Sequence, residues 1–249
     1  MKVATSIILA RRKSLAELLE NHHYLPLAEV CARLGISQAT ARRDLRVLVR
    51  EKKITRTYGG ALARFDATTA SFADRRAVDH AIKARIAQKA RRFIQPGATC
   101  FFDSGTTIFA LAEALHREPI PGLRAVTNNL PVAEMLGRTG AEVHLLGGRF
   151  LQRQSILLGP GARRAAKLWK FDLLFLGAEG FSRAGIWASE TEVALFQKVL
   201  IAQAKRVIVC AHSAKLGRET GHFLTPWTAK FQLVTDASPA RRARQGLPV

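Results

Sequence analysis

Apolar residues fall into two textures along the 249-residue chain, one periodic at helical spacing near the N-terminus and one of short separated runs from Thr99 onward. In the first, Ala41, Leu45, Leu48 and Val49 recur at i, i+4, i+7 and i+8, which predicts a helix with one buried face. Ser37 stands at its N-cap, where a hydroxyl accepts from the free amides of the first turn. Leu27, Val30, Cys31 and Leu34 predict a shorter helix beginning beside Pro26, and Gly35-Ile36 supplies the tight turn between the two. An earlier helix, from about Ser6 to Asn21, turns Ile8, Leu15, Leu18 and Leu19 inward. The stretch Ile54 to Leu62 alternates apolar with polar and carries Gly59-Gly60, the pattern of a small hairpin. Helix, turn, capped helix and hairpin in this order form winged helix-turn-helix grammar.

The second texture predicts strands at Cys100 to Asp103, Arg124 to Thr127, Val143 to Leu146, Phe171 to Leu176, Val207 to Ala211 and Leu233 to Thr235, with helical segments between them. That alternation implies crossover units and a mainly parallel sheet covered on both faces. The expected fold class is α/β: a winged helix-turn-helix domain over residues 1–62, a linker and connecting helix over 63–98, an α/β domain over 99–237 and a basic tail over 238–249. The helical pattern from Asp74 to Phe93 reads as a solvated connector, since Arg75, Arg76, Lys83, Arg85, Lys89, Arg91 and Arg92 outnumber Asp74 and Asp79.

Charge sharpens this picture. The net charge is +20, and residues 1–65 hold 13 Lys/Arg against 5 Asp/Glu, about twice the density of positive charge in the rest of the chain. A polyanionic partner follows, because each phosphate neutralised releases counterions. On the predicted recognition helix, Gln38, Arg42 and Arg43 carry the chemistry that reads base edges, since Arg forks onto guanine and Gln pairs with adenine. Arg46, Arg50 and Arg56 are placed to hold phosphates, with Ser37 and Thr40 at the helix start. The bland alternative is a solvated surface helix; the run of short helix, glycine turn, capped basic helix and Gly-Gly hairpin favours operator DNA.

The remaining composition excludes several classes. Cys31, Cys100 and Cys210 are odd in number and widely spaced, with no paired metal-ligand pattern, so a reducing cytoplasmic setting and no structural metal are expected. The apolar stretch Val3 to Ala10 is too short to span a membrane, and Arg11-Arg12-Lys13 follows it. Neither a Gly-x-x-x-x-Gly-Lys nor a Gly-x-Gly-x-x-Gly run occurs, so no nucleotide cofactor is expected.

In open α/β sheets ligands bind beyond the carboxyl ends of strands. There the sequence places Asp103-Ser104-Gly105-Thr106-Thr107, whose amides and hydroxyls open a helix and suit a phosphate. Thr127-Asn128-Asn129, Gly147-Gly148-Arg149, Gly177-Ala178-Glu179-Gly180 and His212-Ser213-Ala214-Lys215-Leu216-Gly217 follow the other strands. Each alone reads more readily as a cap or turn; together they suit a small phosphorylated sugar or polyol.

This ordered set resembles the DeoR-type bacterial transcriptional regulators over nearly the whole chain. The resemblance rests on Ser37 with Thr40-Ala41-Arg42-Arg43-Asp44-Leu45, on Arg56 with Gly59-Gly60-Ala61, and on Asp103-Ser104-Gly105-Thr106-Thr107, Thr127-Asn128-Asn129, Gly147-Gly148, Gly177, Glu192, Lys198 and Lys215-Leu216-Gly217. It implies a sensor domain similar in fold to ribose-5-phosphate isomerase and a repressor that changes its operator contact when a sugar phosphate binds. The effector residues would be Asp103, Ser104, Gly105, Thr106, Thr107, Asn128, Asn129, Gly148, Arg149, Glu192, Lys198, His212 and Lys215. Two positions depart from the family. Ala41 replaces a larger aliphatic residue, and His212 stands where the family's Asp-x-Ser-Lys has its carboxylate. An imidazole there accepts from a hydroxyl when neutral or adds charge toward an acidic group when protonated.

Two other functions compete: a sugar-phosphate isomerase or hydrolase with Asp103 or Glu192 as general base, and a non-specific nucleic-acid protein. A DNA-binding domain ahead of the pocket favours sensing, for which reversible occupancy suffices. Paired half-sites make a homodimer or homotetramer the expected assembly.

Overall fold

A computed structural model describes residues 5–22, 24–51, 54–57, 60–63 and 71–247. The chain divides into two compact units, one formed by Met1–Thr69 with Glu219–His222 and the other by Ala70–Arg218 with Phe223–Val249.

The first unit contains α1 (Thr5–His22), β1 (Tyr24–Pro26), α2 (Leu27–Leu34), α3 (Gln38–Arg50), β2 (Ile54–Thr57) and β3 (Gly60–Ala63). Leu15 and Leu19 of α1, Val30 of α2 and Ala41, Leu45 and Leu48 of α3 form its core, with Val49 and Leu18 packed at the margin. Ile8, expected inward, is only half-buried. Gly35 ends α2 with a φ of 62°, a left-handed turn that a β-carbon disfavours, so the chain can reverse directly into α3. The expected hairpin is β2 paired antiparallel with β3, and β1 joins its other side in the order β1-β3-β2.

The second unit is built on a six-stranded sheet. In chain order it contains α4 (Phe72–Ala77), α5 (His80–Arg91), β4 (Thr99–Phe102), α6 (Thr106–Arg117), β5 (Arg124–Thr127), α7 (Leu130–Gly137), β6 (Glu142–Leu145), β7 (Arg149–Leu151), β8 (Ile156–Leu158), α8 (Pro160–Lys167), β9 (Phe171–Gly177), β10 (Gly180–Ser182), β11 (Gly185–Ala188), α9 (Thr191–Gln203), β12 (Ala204–Cys210), a 3-10 turn (Ser213–Lys215), β13 (His222–Thr225), β14 (Phe231–Val234) and α10 (Pro239–Arg244). The sheet order is β14-β12-β9-β4-β5-β6, and every neighbouring pair is parallel.

Alternate residues of each strand enter opposite cores, as the period of two requires. Phe101, Leu174 and Val209 pack with Phe196 and Leu200 of α9 and Ala162 of α8. Phe102, Phe175 and Ile208 pack with Ile86 of α5, Leu111 of α6 and Val132 of α7. Phe101 meets Phe171 and Phe196 edge-on at 5.2 and 5.9 Å, while Phe102 stacks on Phe175 at 5.3 Å. These fully buried rings each supply several kcal/mol of burial.

Three features differ from the sequence reading. The span 74–93 is two helices with a break at Val78-Asp79, and α5 buries Ile86, Ala87 and Ala90 in the core rather than forming a solvated connector. The apolar stripe was masked by Lys and Arg on the other faces. The expected basic tail contains a helix, α10, capped by Ser238, and buried Leu247 ties it down. The β7–β8 hairpin and the small sheet β10-β11-β13 had not been expected; the three-residue strands β7, β8 and β10 carry too little alternation to be read.

Candidate functional site

The first candidate surface is α3. Ser37 is extended at φ −68° and ψ 155°, and its Oγ accepts from Thr40 N at 3.2 Å; the two hydroxyls lie 3.0 Å apart. Both side chains therefore build the helix start. Gln38, Arg42, Arg43, Arg46 and Arg50 are exposed, and Arg46 Nε donates to the carbonyl of Arg42 at 3.4 Å. Arg56 belongs to β2, but its side chain lies outside the described residues.

Behind that surface sits Asp44, which the sequence places in the Thr40-to-Leu45 motif without a role of its own. It is fully buried on the inner side of α3, where Arg11 Nε donates to Oδ2 at 2.6 Å and Arg12 Nε to Oδ1 at 2.9 Å. Burial alone would raise its pKa, but the hydrogen bonds and charges of Arg11 and Arg12 outweigh that and hold the carboxyl below its ordinary value. The pair fastens α3 to α1 and so fixes the pitch of the exposed arginines. Its sequence signal was an acid three residues after Ala41, on the apolar stripe of an otherwise basic helix.

The second candidate site is the carboxyl edge of the parallel sheet. Sheet order brings the loops after β12, β9, β4, β5 and β6 along one rim, so His212, Glu179, Asp103, Asn128 and Gly148 follow one another. At its centre Asp103 is buried, accepting from Gln197 Nε2 at 2.7 Å and Gly177 N at 3.1 Å. Burial pushes its carboxyl up to about 6 against these bonds and the amide of Ser104, and nearby Glu179 raises it further. Gly177 is required here by close approach, since a β-carbon would stand 2.8 Å from the Ser104 carbonyl. Beyond Asp103, α6 begins at Gly105 with φ 115°, no side-chain cap and nothing within 4 Å of a β-carbon position. Ser104, Gly105, Thr106 and Thr107 are half-buried around these first-turn amides, an arrangement that suits an anion.

On the next strand Thr127 Oγ1 donates to Phe102 O at 2.7 Å, and both asparagines are buried. Asn129 caps α7 through Oδ1 on Val132 N at 3.0 Å, and Asn128 Nδ2 donates to Leu157 O at 3.1 Å. Asn128 Oδ1 and Asn129 Nδ2 are left without hydrogen-bond partners among the described residues. The β7–β8 hairpin folds against this loop through Leu157 N to Asn128 O and Leu130 N to Ser155 O. Gly148 permits that fold, because a β-carbon would lie 2.6 Å from Leu158 O, and Arg149 beside it is exposed.

Two family models cover most of the chain: the DeoR-like helix-turn-helix domain matches residues 11–65 and the DeoR C terminal sensor domain matches residues 78–237. The chain belongs to the DeoR family. The HTH-type transcriptional repressor GlcR of Bacillus subtilis (strain 168) is 29% identical over 231 residues, which is 92% of this chain and 88% of that protein. The HTH-type transcriptional regulator GlpR of Haloferax volcanii is 30% identical over 212 residues, 84% of this chain and 82% of the relative. Among solved structures, ribose 5 phosphate isomerase A from Neisseria gonorrhoeae superposes with a TM-score of 0.41 at 18% identity, covering 54% of this chain and 52% of that one. The curated relatives are named regulators of transcription, and the chain is a regulator rather than an enzyme.

Within this DeoR-family sensor the remaining residues expected at the rim divide. Lys215 reaches it, but its Nζ donates to Ala178 O at 2.6 Å and lies 3.6 Å from Glu179, so its charge is already engaged. Glu192, in the first turn of α9, accepts from Arg163 at 2.8 Å. Lys198 does not join them: it is exposed and seven residues into α9, roughly 10 Å along the axis. The residue before it, Gln197, is the one that faces Asp103, and nothing in the sequence distinguished the two. His212 caps the 3-10 turn, since its Nδ1 accepts from Ala214 N at 2.9 Å. That bond leaves the proton of neutral His212 on Nε2, 3.5 Å from Asp79 Oδ2. Lys83, also unforeseen, donates to the carbonyls of Arg75 and Val78 at the end of α4; burial pushes its pKa down. Among the described residues no group of three or more His, Cys, Asp or Glu is placed to hold a metal, and no helix is long and apolar enough to cross a membrane.

Proposed function

We propose that this DeoR-family chain is an operator-binding repressor of carbohydrate genes whose DNA contact changes when a phosphorylated sugar or polyol occupies the sheet rim. One observation carries the ligand class: α6 starts at an open Gly105 with free first-turn amides, beside buried Asn128 and Asn129, each with an unused polar atom. Free amides at a helix start hold a phosphate, and an unused acceptor beside an unused donor suits hydroxyls. Arg42, Arg43 and Gln38 would read bases, while Arg46, Arg50 and Arg56 would hold phosphates. Ser104, Gly105, Thr106, Thr107, Asn128, Asn129 and Arg149 would meet the effector directly. Asp103, His212, Lys215 and Glu192 would shape the pocket around it. Self-association into a homodimer or homotetramer in the cytoplasm completes the reading, since paired half-sites require at least two copies.

Thermal stability against a panel of sugar phosphates tests it. A ligand bound only by the folded state stabilises by about 2.7 kcal/mol at a hundredfold excess over its Kd. A shift with one phosphorylated compound, absent for its unphosphorylated form and lost in Thr106→Ala or Gly105→Val, is expected. A flat panel, or a shift that persists in both variants, would remove the rim from this role. For the DNA surface, Arg43→Ala should cost roughly 1 to 3 kcal/mol of operator binding if it forks onto a base.

A further inference from the structure

Away from the rim, the C-terminal end of the sensor unit gathers five arginines. Arg241, Arg242 and Arg244 belong to α10; Arg183 follows β10, and Arg218 packs its backbone against Gly180 at the start of that strand. Gly246 sets the junction. Its φ of 61° turns the chain after α10, and Arg183 lies across it, with Cδ 3.1 Å from where a β-carbon would be. Leu247 N then bonds Arg242 O at 3.1 Å and the Leu247 side chain enters the core, so the helix is presented rigidly.

Among the described residues none of these five arginines forms an ion pair, although Glu219 directly follows Arg218. Residues 180–189 and 238–247 contain no Asp or Glu. Arg242 is half-buried, and its Nε has no hydrogen-bond partner among the described residues. Arg241 and Arg244 are exposed on the same helix.

We infer that this arginine patch is a second DNA-binding surface, which holds duplex phosphates without reading sequence. Arg is the side chain suited to phosphate, and the duplex is the polyanion to which the covalently linked helix-turn-helix unit already delivers the chain at high effective concentration. The inference goes beyond effector-gated operator binding and does not depend on which sugar is sensed.

Its test uses the full chain, a mixed-sequence duplex of about 60 base pairs and a salt series, because each phosphate neutralised contributes about 0.9 to the slope of log K against log salt. Arg241→Gln/Arg244→Gln is expected to reduce that slope by about 1 to 2, and Arg241→Lys/Arg244→Lys to restore most of it. Arg43→Ala serves as the reference at the recognition helix. A glutamine variant whose slope and affinity match the parent's, while Arg43→Ala weakens binding, would overturn the proposal and point the patch toward an acidic protein instead. If the parent chain binds neither this duplex nor any operator, the DNA reading of the whole protein fails, which is a separate result.

Discussion

Removing both guanidinium partners of Asp44 should invert how the stability of the DNA-binding unit depends on pH. Asp44 is fully buried, and Arg11 and Arg12 hold its carboxyl below its ordinary value. A group with a depressed folded pKa contributes stability that is present above its unfolded pKa and is lost as pH falls through the folded one. In Arg11→Met/Arg12→Met only the burial contribution survives, which raises the pKa, so the carboxylate should destabilise the unit increasingly as pH rises above about 4. A buried ion left without its partner costs about 3 to 5 kcal/mol. Either single variant keeps one guanidinium, at 2.9 or 2.6 Å, and should cost clearly less than half of that. For so small a unit this is a large share of the total stability, of order 5 kcal/mol. Urea-dependent hydrogen exchange in peptides from α1 and α3 of the full chain, corrected for intrinsic rates at pH 5 and pH 7, reads the effect locally. The double variant should be weakest at pH 7 and partly recover at pH 5, and adding Asp44→Leu should recover most of the loss at both. A double variant that costs no more than the sum of the singles, or whose deficit does not shrink on acidification, would refute this account of Asp44.

Asp103 carries the opposite sign already in the native protein. With its pKa raised to about 6, the folded state binds a proton that the unfolded state releases near 4, so sensor-unit stability should rise by roughly 1 kcal/mol between pH 7 and pH 5. Unfolding followed by the fluorescence of Trp169, Trp187 and Trp227 checks this, and an unchanged pH dependence in Asp103→Asn would contradict it. Gly177→Ala should lose more than about 1 kcal/mol and disturb the rim, because its methyl would meet a backbone carbonyl that cannot swing away; an unshifted Tm would show that β9 and β4 can part. Ser37→Ala should lower helix-turn-helix stability by about 1 kcal/mol through loss of the α3 cap, measured by exchange in peptides from α3, with no change in the sensor unit.

Whatever depended on local pattern could be read from the sequence. The stripe Ala41, Leu45 and Leu48 placed α3 because burial of one face requires that spacing, and Ser37 marked its first turn. The inner strands of the six-stranded sheet were legible because both faces of a parallel sheet are buried, which writes each of them as an apolar run. Three-residue strands such as β7 and β10 are held by the tertiary frame around them, and α5 hid its inner face behind its own cations. For the same reason the sequence could name the loops of the rim but not which side chains turn into it. Lys198 and Gln197 are neighbours of similar length, and only the packing of α9 on β9 decides that the amide meets Asp103 while the ammonium points to water. Asp44 makes the point for the other unit: its type and number are in the sequence, but its effect comes from two arginines more than thirty residues away that folding alone brings within hydrogen-bond reach. Periodicity thus determined the elements and their order, because burial acts on each element separately. The positions of buried charges relative to one another were decided by tertiary structure, because their energies depend on distance and on the exclusion of water.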